Sequence, residues 1–462
     1  MQHSDDPGSP SREDGLPVPR RYWAILTTAL GIGMAVMDNT IVNIALPSIA
    51  ADLGVSPAES IWVVNAYLLA VATTLLSLAS LGDILGYRLI YRLGLLVFTF
   101  ASLGCALADS LPTLIAARFF QGLGAAGIMS VNVALVRFIY PRRSLGKGVG
   151  INAMIVAVST GLGPTVAAGI LAVGPWPWLF AVNIPIGFAA MIIAARALPH
   201  TPRAPHRFDY PSALMNALGI GLLVIAVDSL AHDVGGLIIL AELLIAGGII
   251  FALVRRQLSL ESPLLPVDLL RNKPFALAIG TSLCAFTGHM MAFISLPFYL
   301  HDVLGYSAVD TGLLMTPWPI AVVLIAPVAG ALADRHSSGL LCAAGMSLLA
   351  VGLLLLALMS STPDVLSILW RMAVCGLGFG LFHAPNNRTI ISSAPRERSG
   401  GAAGMQGTAR LLGQTSGAAL TALIFGLAAN GTSTSLLIAS AFTFAAALVS
   451  TFRIKGGVTP LA

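Results

Sequence analysis

Charge is what this chain has least of. Of its 462 residues, 10 % are Asp, Glu, Lys or Arg, against roughly one-quarter in soluble domains. Hydrophobic residues make up 56 % and the mean hydropathy is +0.87, which excludes a water-soluble fold. Cysteine is scarce too: Cys105, Cys284, Cys342 and Cys375 all fall inside apolar stretches without metal-ligand spacing, so they read as packing residues and no metal is expected. No G-x-x-x-x-G-K-[ST] occurs, and no break between apolar stretches could hold an ATPase domain. Any work must therefore draw on an ion gradient or on a solute's own gradient. The sequence also lacks a Ser/His/Asp set or a metal-spaced His/Asp cluster, which weighs against an enzyme. It has no sizeable extramembrane segment to serve as a receptor domain. No cofactor is implied.

What is present is apolar length. Stretches of about 20 residues, enough to cross a hydrocarbon core, recur from Tyr22 to Phe452 with short polar breaks. Fourteen helices are predicted near 22–47, 59–81, 88–108, 112–139, 146–172, 177–198, 212–231, 236–255, 274–300, 308–332, 339–360, 364–390, 401–428 and 433–452. The Pro-rich segment 1–21 reads as a disordered tail rather than a signal peptide, because the apolar run behind it is too long and has no small-residue cleavage site. Basic residues outside the spans sit in the tails or in alternate breaks, as in Pro141-Arg142-Arg143, Arg203 to Arg207, Arg255-Arg256 and Arg396 to Arg398. That alternation predicts an even number of spans with both termini cytoplasmic. The pI near 9.2 thus reports topology, and no nucleic acid partner is implied.

Three features repeat at nearly one spacing. Asp83 follows the second span and Asp334 the tenth, an offset of 334 − 83 = 251. Arg118 precedes Gly122 and Gly124, and Arg371 precedes Gly376 and Gly378, an offset of 371 − 118 = 253. Gly163-Pro164 faces Gly413-Gln414 at 413 − 163 = 250. Duplicated six-helix halves follow, at 22–199 and 273–453, with a linker region at 200–272 carrying two inserted helices and a cytoplasmic tail at 454–462.

Several segments carry a family resemblance. Met37 to Pro47 (MDNTIVNIALP) looks like the first-helix signature of the fourteen-span drug:proton antiporters of the major facilitator superfamily. Ala117 to Gly124 (ARFFQGLG) is similar to their fourth-helix motif, and Gly161-Leu162-Gly163-Pro164 to their fifth-helix antiporter motif. Trp176 to Phe180 and Asn183 to Gly187 resemble the start of their sixth helix. The resemblance spans nearly everything after the tail and implies an all-α major facilitator fold with a substrate path between the halves. It also implies a bacterial inner-membrane location, and a monomer whose partners are a small-molecule substrate, protons and the lipid bilayer. There are departures. The loop motif after the second helix has Asp83 followed by Ile84, Leu85, Gly86, Tyr87 and Arg88, without its first arginine. Its counterpart, ending Asp334-Arg335, is better kept, and Ala167-Ala168 replaces a Gly pair in the fifth helix.

Asp38 is the one carboxylate well inside a span of the first half, where charge is costly and faces the bundle interior. At about 1.5 Å per residue it lies roughly 13 Å below Pro47, and Arg118 lies roughly 9 Å below Pro112, depths that allow pairing. Desolvation and a guanidinium pull a carboxylate in opposite directions, so Asp38 with Arg118 is the proton-coupling candidate. A structural pin on the first helix is its alternative. Asn43, Gln121, Asn132, His289 and Arg371 are candidates to line a substrate cavity, with bonding across helices the commoner use of such amides. An isolated His such as His289 or His383 is more often a packed core residue. Asp83, Arg88, Asp334 and Arg335 are assigned to loop gating, and Gly161, Gly163 and Pro164 to helix bending and close packing. The expected function is proton-coupled export of lipophilic or cationic drugs, a monocation or neutral compound being easier to accommodate than a dication; export of a cell metabolite is the alternative.

Overall fold

The computed structural model describes residues 15–141, 144–204, 208–230, 235–260, 265–360, 362–395 and 398–453. The predicted tail residues 1–14 and 454–462, and Arg142, Arg143, Arg207 and Arg396, lie outside them. In a bilayer every backbone polar group must be satisfied within its own segment, so apolar runs of this length become helices. They are α1 (Arg20–Leu53), α2 (Pro57–Leu85), α3 (Tyr87–Ala106), α4 (Leu111–Ile139), α5 (Leu145–Leu171), α6 (Trp178–Ala197) and α7 (Tyr210–Ser229). They continue as α8 (Gly236–Ser259), α9 (Lys273–Val303), α10 (Ala308–Arg335), α11 (Ser338–Ala357), α12 (Val365–Ser392), α13 (Ser399–Leu427) and α14 (Gly431–Thr451). Among the described residues thirteen of these are long and apolar enough to cross a membrane. The other, α13, is of similar length but carries Gln406, Arg410 and Gln414.

The first helix corrects its predicted bounds of 22–47. It starts at Arg20 and runs through Pro47 to Leu53, ending at Gly54, whose φ of 63° suits glycine. Helices in a bundle tolerate an internal Pro because neighbours re-satisfy the freed carbonyl. Ahead of it, Leu16 is buried and its amide donates to the Ile139 carbonyl. Ser56 and Glu59 form a reciprocal capping box at the start of α2. The turn from α2 into α3 is a single residue, Gly86 at φ 99°, a conformation that a side chain would strain.

Helix packing repeats between the first six and the last six helices. In the first set α3 packs on α4, α2 on α4, α1 on α5 and on α6, and α3 on α6; in the last set α11 packs on α12, α10 on α12, α9 on α13 and on α14, and α11 on α14. Between the sets, α2 meets α13, α10 meets α5, and α1 meets α9, as a two-fold relation requires. On the α5–α10 seam a Cβ on Gly312 would lie 2.7 Å from the Pro164 carbonyl oxygen, and the Thr165 and Thr316 hydroxyls are 3.0 Å apart. These contacts lie toward the end of the bundle away from the two termini. Toward the same far end, residues 40–47 and 290–300 are buried without a break. Toward the end carrying the termini, α5 is looser: Val149, Met154 and Val158 are exposed and Gly150 has open space beside it.

The helix pair α7–α8 packs over the α2–α13 seam through α7. Asn216 donates to the Thr73 carbonyl at 2.9 Å. At the terminal end the Ser212 hydroxyl accepts from Gln257 (2.7 Å) and Arg256 (3.1 Å), and Arg256 also pairs with Asp209 at 2.9 Å.

Candidate functional site

Asp38 sits in the middle of α1 with its side chain 1 % exposed, and Arg118 of α4 closes an ion pair with it at 0 % exposure. The i, i+3 spacing puts Arg118 and Gln121 on one face of α4, and both face α1. Arg118 Nη1 donates to Asp38 Oδ2 and also to Gln121 Oε1 at 2.6 Å, while Nε donates to the Val63 carbonyl of α2 at 2.9 Å. Gln121 Nε2 donates to Asp38 Oδ1 and to Ser102 Oγ of α3, each at 2.9 Å. Asn183 of α6 donates to the same Oδ1 at 2.9 Å. The carboxylate thus receives three donors. The guanidinium carbon stands 4.4 Å from the Tyr67 ring centroid and 5.6 Å from that of Phe180. One network therefore ties α1, α2, α3, α4 and α6 together. A charge buried this way persists only when it is paired and hydrogen-bonded, and removing one partner of such a pair costs about 3–5 kcal/mol.

Of the cavity candidates in the first half, Gln121 belongs to this network rather than to an open surface. Asn43 and Asn132 are likewise buried. Asn43 donates to the Asn39 carbonyl of its own helix at 3.0 Å, and Asn132 donates to Asn152 of α5 at 2.6 Å. Buried amides take the nearest acceptors, which is why these three bond across or along helices.

The second half does not repeat the ion pair. His289, at 289 − 38 = 251, stands where α1 has Asp38, and its ring stacks on Phe379 with centroids 4.2 Å apart. Phe293 lies at 4.4 Å, Trp318 at 5.5 Å, and His383 continues the cluster 5.9 Å from Phe379. His289 Nδ1 and Trp318 Nε1 are buried without hydrogen-bond partners. Arg371 bonds back to Ser367 and lies over the Trp370 ring at 4.7 Å, and no carboxylate pairs with it among the described residues.

One intramembrane charge escaped the sequence reading. Arg410 stands 11 residues into α13, roughly 16 Å from its start. It makes no hydrogen bond or ion pair among the described residues, and its Nε is buried and unpartnered. The available signal was simply an arginine in mid-span, which is costly unless it serves a purpose.

The gating candidates separate into two arrangements. Asp83 accepts from Tyr87, and its carbonyl accepts from the Ala204 amide at 2.8 Å. Arg88 turns away from Asp83 to His200 (2.7 Å) and to the Ala195 carbonyl. In the second half Asp334 pairs with Arg388 at 2.6 Å near the terminal end, both largely exposed, with Arg335 exposed beside them. The missing arginine of the first loop is thus replaced by a clamp from the segment after α6. In α5, Gly163 lies against Thr40 of α1 so closely that any Cβ would collide with the threonine side chain. Gly161 faces Pro319 and Val323 of α10 at 3.6 and 3.7 Å from a Cβ position, so the motif touches both halves. Pro164 lies inside the same helix and presents its carbonyl to Gly312.

The sequence profile of the Major Facilitator Superfamily matches residues 28–418. The chain is 55 % identical over 444 residues to YebQ, an uncharacterized transporter of Escherichia coli (strain K12), covering 96 % of this chain and 97 % of the relative. It is 32 % identical to the riboflavin transporter RibZ of Clostridioides difficile (strain 630), over 88 % of this chain and 89 % of that one. It is 30 % identical to the multidrug efflux pump LfrA of Mycolicibacterium smegmatis, over 88 % and 81 %. Among solved structures, a POT family transporter in complex with 5-aminolevulinic acid superposes with a TM-score of 0.72 at 14 % identity, over 94 % and 96 % of the two chains, a likeness of fold.

Proposed function

The chain belongs to the major facilitator superfamily, and we propose that within it the protein is a proton-coupled exporter of small organic molecules working by alternating access. The observation that carries this reading is the three-donor cage on Asp38, the single carboxylate in mid-span of the first half. Protonating Asp38 removes the charge that holds Arg118, Gln121 and Asn183 in one arrangement. Arg118 then keeps its bond to the Val63 carbonyl but loses its counter-ion, and α1 is released from α4 and α6. Because Gly163 seats directly on Thr40, a shift of α1 carries α5 with it, and α5 bears on α10 of the other half. A local protonation is thereby linked to the seam between the halves.

With the termini cytoplasmic, the far end faces outside. Residues 40–47 then seal Asp38 from the outer side in this conformation, so proton uptake belongs to the outward-open state and release to the inward-open one. That order exports substrate against an inward proton gradient. Similarity to transporters of riboflavin and of multiple drugs supports an amphipathic organic substrate, and bacterial relatives support the inner membrane as the site of action. A monomer suffices, because the network and both seams lie within one chain.

The test is reconstitution into proteoliposomes with a panel of cationic, neutral and anionic fluorescent dyes, driven by an imposed pH gradient. At least one dye is moved by the wild type, and its transport stops when a protonophore collapses the gradient. Transport indifferent to the gradient would contradict proton coupling.

A further inference from the structure

Resting on the exporter reading, we propose that the substrate is an aromatic organic anion and that Arg410 is the residue that receives its negative group.

The first support is the charge inventory of the path between the halves. Asp38 already takes donors from Arg118, Gln121 and Asn183, so an ammonium substrate meets no free carboxylate there. Arg118 is neutralised by Asp38. Arg371 also lacks a carboxylate but bonds back to Ser367, whereas Arg410 has neither an acid nor a hydrogen-bond partner among the described residues, and a guanidinium stays charged under all ordinary conditions. An unpaired fork of N–H donors in a membrane interior matches a carboxylate, sulfonate or phosphate.

The second support is position. Arg410 is too deep in α13 to reach either interface. Gly407, one turn earlier on the same face of α13, has its Cβ position 3.9 Å from Leu75 of α2, so Arg410 lies on the face of α13 turned toward the other half. The repeat position in the first half, 410 − 250 = 160, is Thr160.

The third support is the aromatic surface of the second half. His383, Phe379 and His289 form a run of near-parallel rings, with interplanar angles of 26° and 18°, backed by Phe286 and Trp318. His289 Nδ1 and Trp318 Nε1 are buried and unpartnered, polar atoms that a bound molecule would satisfy. A flat ring carrying one negative group fits both features, the ring on the aromatic run and the anion on Arg410.

The experiment titrates naphthoate and naphthylmethylammonium, one ring system with opposite charges, against the purified full-length protein in detergent, reading the thermal unfolding midpoint. Naphthoate is expected to raise the midpoint saturably and the amine to leave it unchanged. In Arg410→Gln naphthoate affinity falls by roughly tenfold or more, and Arg410→Lys restores part of it. The proposal is overturned if the amine stabilises and naphthoate does not, if neither does, or if Arg410→Gln responds like the wild type. Should Arg410→Gln fail to fold, the paired probes on the wild type still decide. Gradient-driven dye transport, measured on the same preparation, separates the two readings: if it proceeds while naphthoate fails, the anion assignment falls alone.

Discussion

Asp38 of α1 and Arg118 of α4 form a wholly buried ion pair, while the positions 251 and 253 residues later hold His289 and Arg371, which do not touch one another by hydrogen bond or ion pair. Two halves that pack alike thus carry different chemistry at matching depths. The first half holds a carboxylate caged by three donors; the second holds rings and, in Arg371, a guanidinium with no carboxylate beside it among the described residues.

Removing one member of the buried pair is predicted to cost more than removing both. Asp38→Asn or Arg118→Gln alone destabilises the protein by about 3–5 kcal/mol, because each leaves a buried group unpaired. The double variant recovers much of that stability without recovering gradient-driven transport. Thermal unfolding in detergent beside proteoliposome transport checks both halves of the prediction.

Arg371→Gln is predicted to behave unlike Arg118→Gln. With no carboxylate to abandon and only its own helix to bond, Arg371 can be neutralised at a cost of about 1 kcal/mol or less. Comparable unfolding of the two single variants would contradict this asymmetry.

Gly163→Ala is predicted to stop transport while costing about 1–3 kcal/mol, the range for overpacking, since its methyl collides with Thr40. Thr40→Gly in the same chain removes both the hydroxyl and the Cβ, which would itself lie 2.6 Å from the new methyl, and so restores transport. Rescue by the second substitution distinguishes contact between α1 and α5 from a general loss of folding.

Asp268 lies between α8 and α9 and pairs with Arg398 just before α13. The hydrogen bond from Arg398 holds its carboxyl below the usual carboxylate range. A carboxyl depressed in the folded state contributes stability above its unfolded value, near 3.9, and loses it as pH falls through the folded value. Both side chains are over a third exposed, so the pair is worth about 0–1 kcal/mol. Arg398→Gln is therefore predicted to lower stability slightly and equally at pH 5 and pH 8, the difference from wild type disappearing only in strong acid. Unfolding midpoints across pH check the profile.

Much of this was legible in the sequence because the membrane simplifies the problem. Apolar length gave the spans, and the spacing from Asp83 to Asp334 marked the repeat. The depth of Asp38 matched Arg118 because both were counted from prolines near helix ends, although Pro47 does not end its helix. What stayed hidden depends on rotation about the helix axis, which spacing alone does not give. For Gln121 and Asn183 bonding across helices was the commoner expectation, but which partners they take followed only from the placement of α3 and α6 around Asp38. Arg410 matched no motif and had no partner at a readable distance. It therefore passed unnoticed, although its mid-span charge was visible. Asp38 was matched with Arg118 from their depths, whereas the two further donors on the carboxylate, Gln121 and Asn183, depend on helix rotation.

The measurement that bears most directly on the central claim is the initial rate of dye transport driven by an imposed pH gradient in proteoliposomes, wild type against Asp38→Asn at equal reconstitution. The account predicts that Asp38→Asn loses gradient-driven transport while still exchanging dye between compartments at equal pH. Gradient-driven transport by Asp38→Asn at the wild-type rate would contradict it.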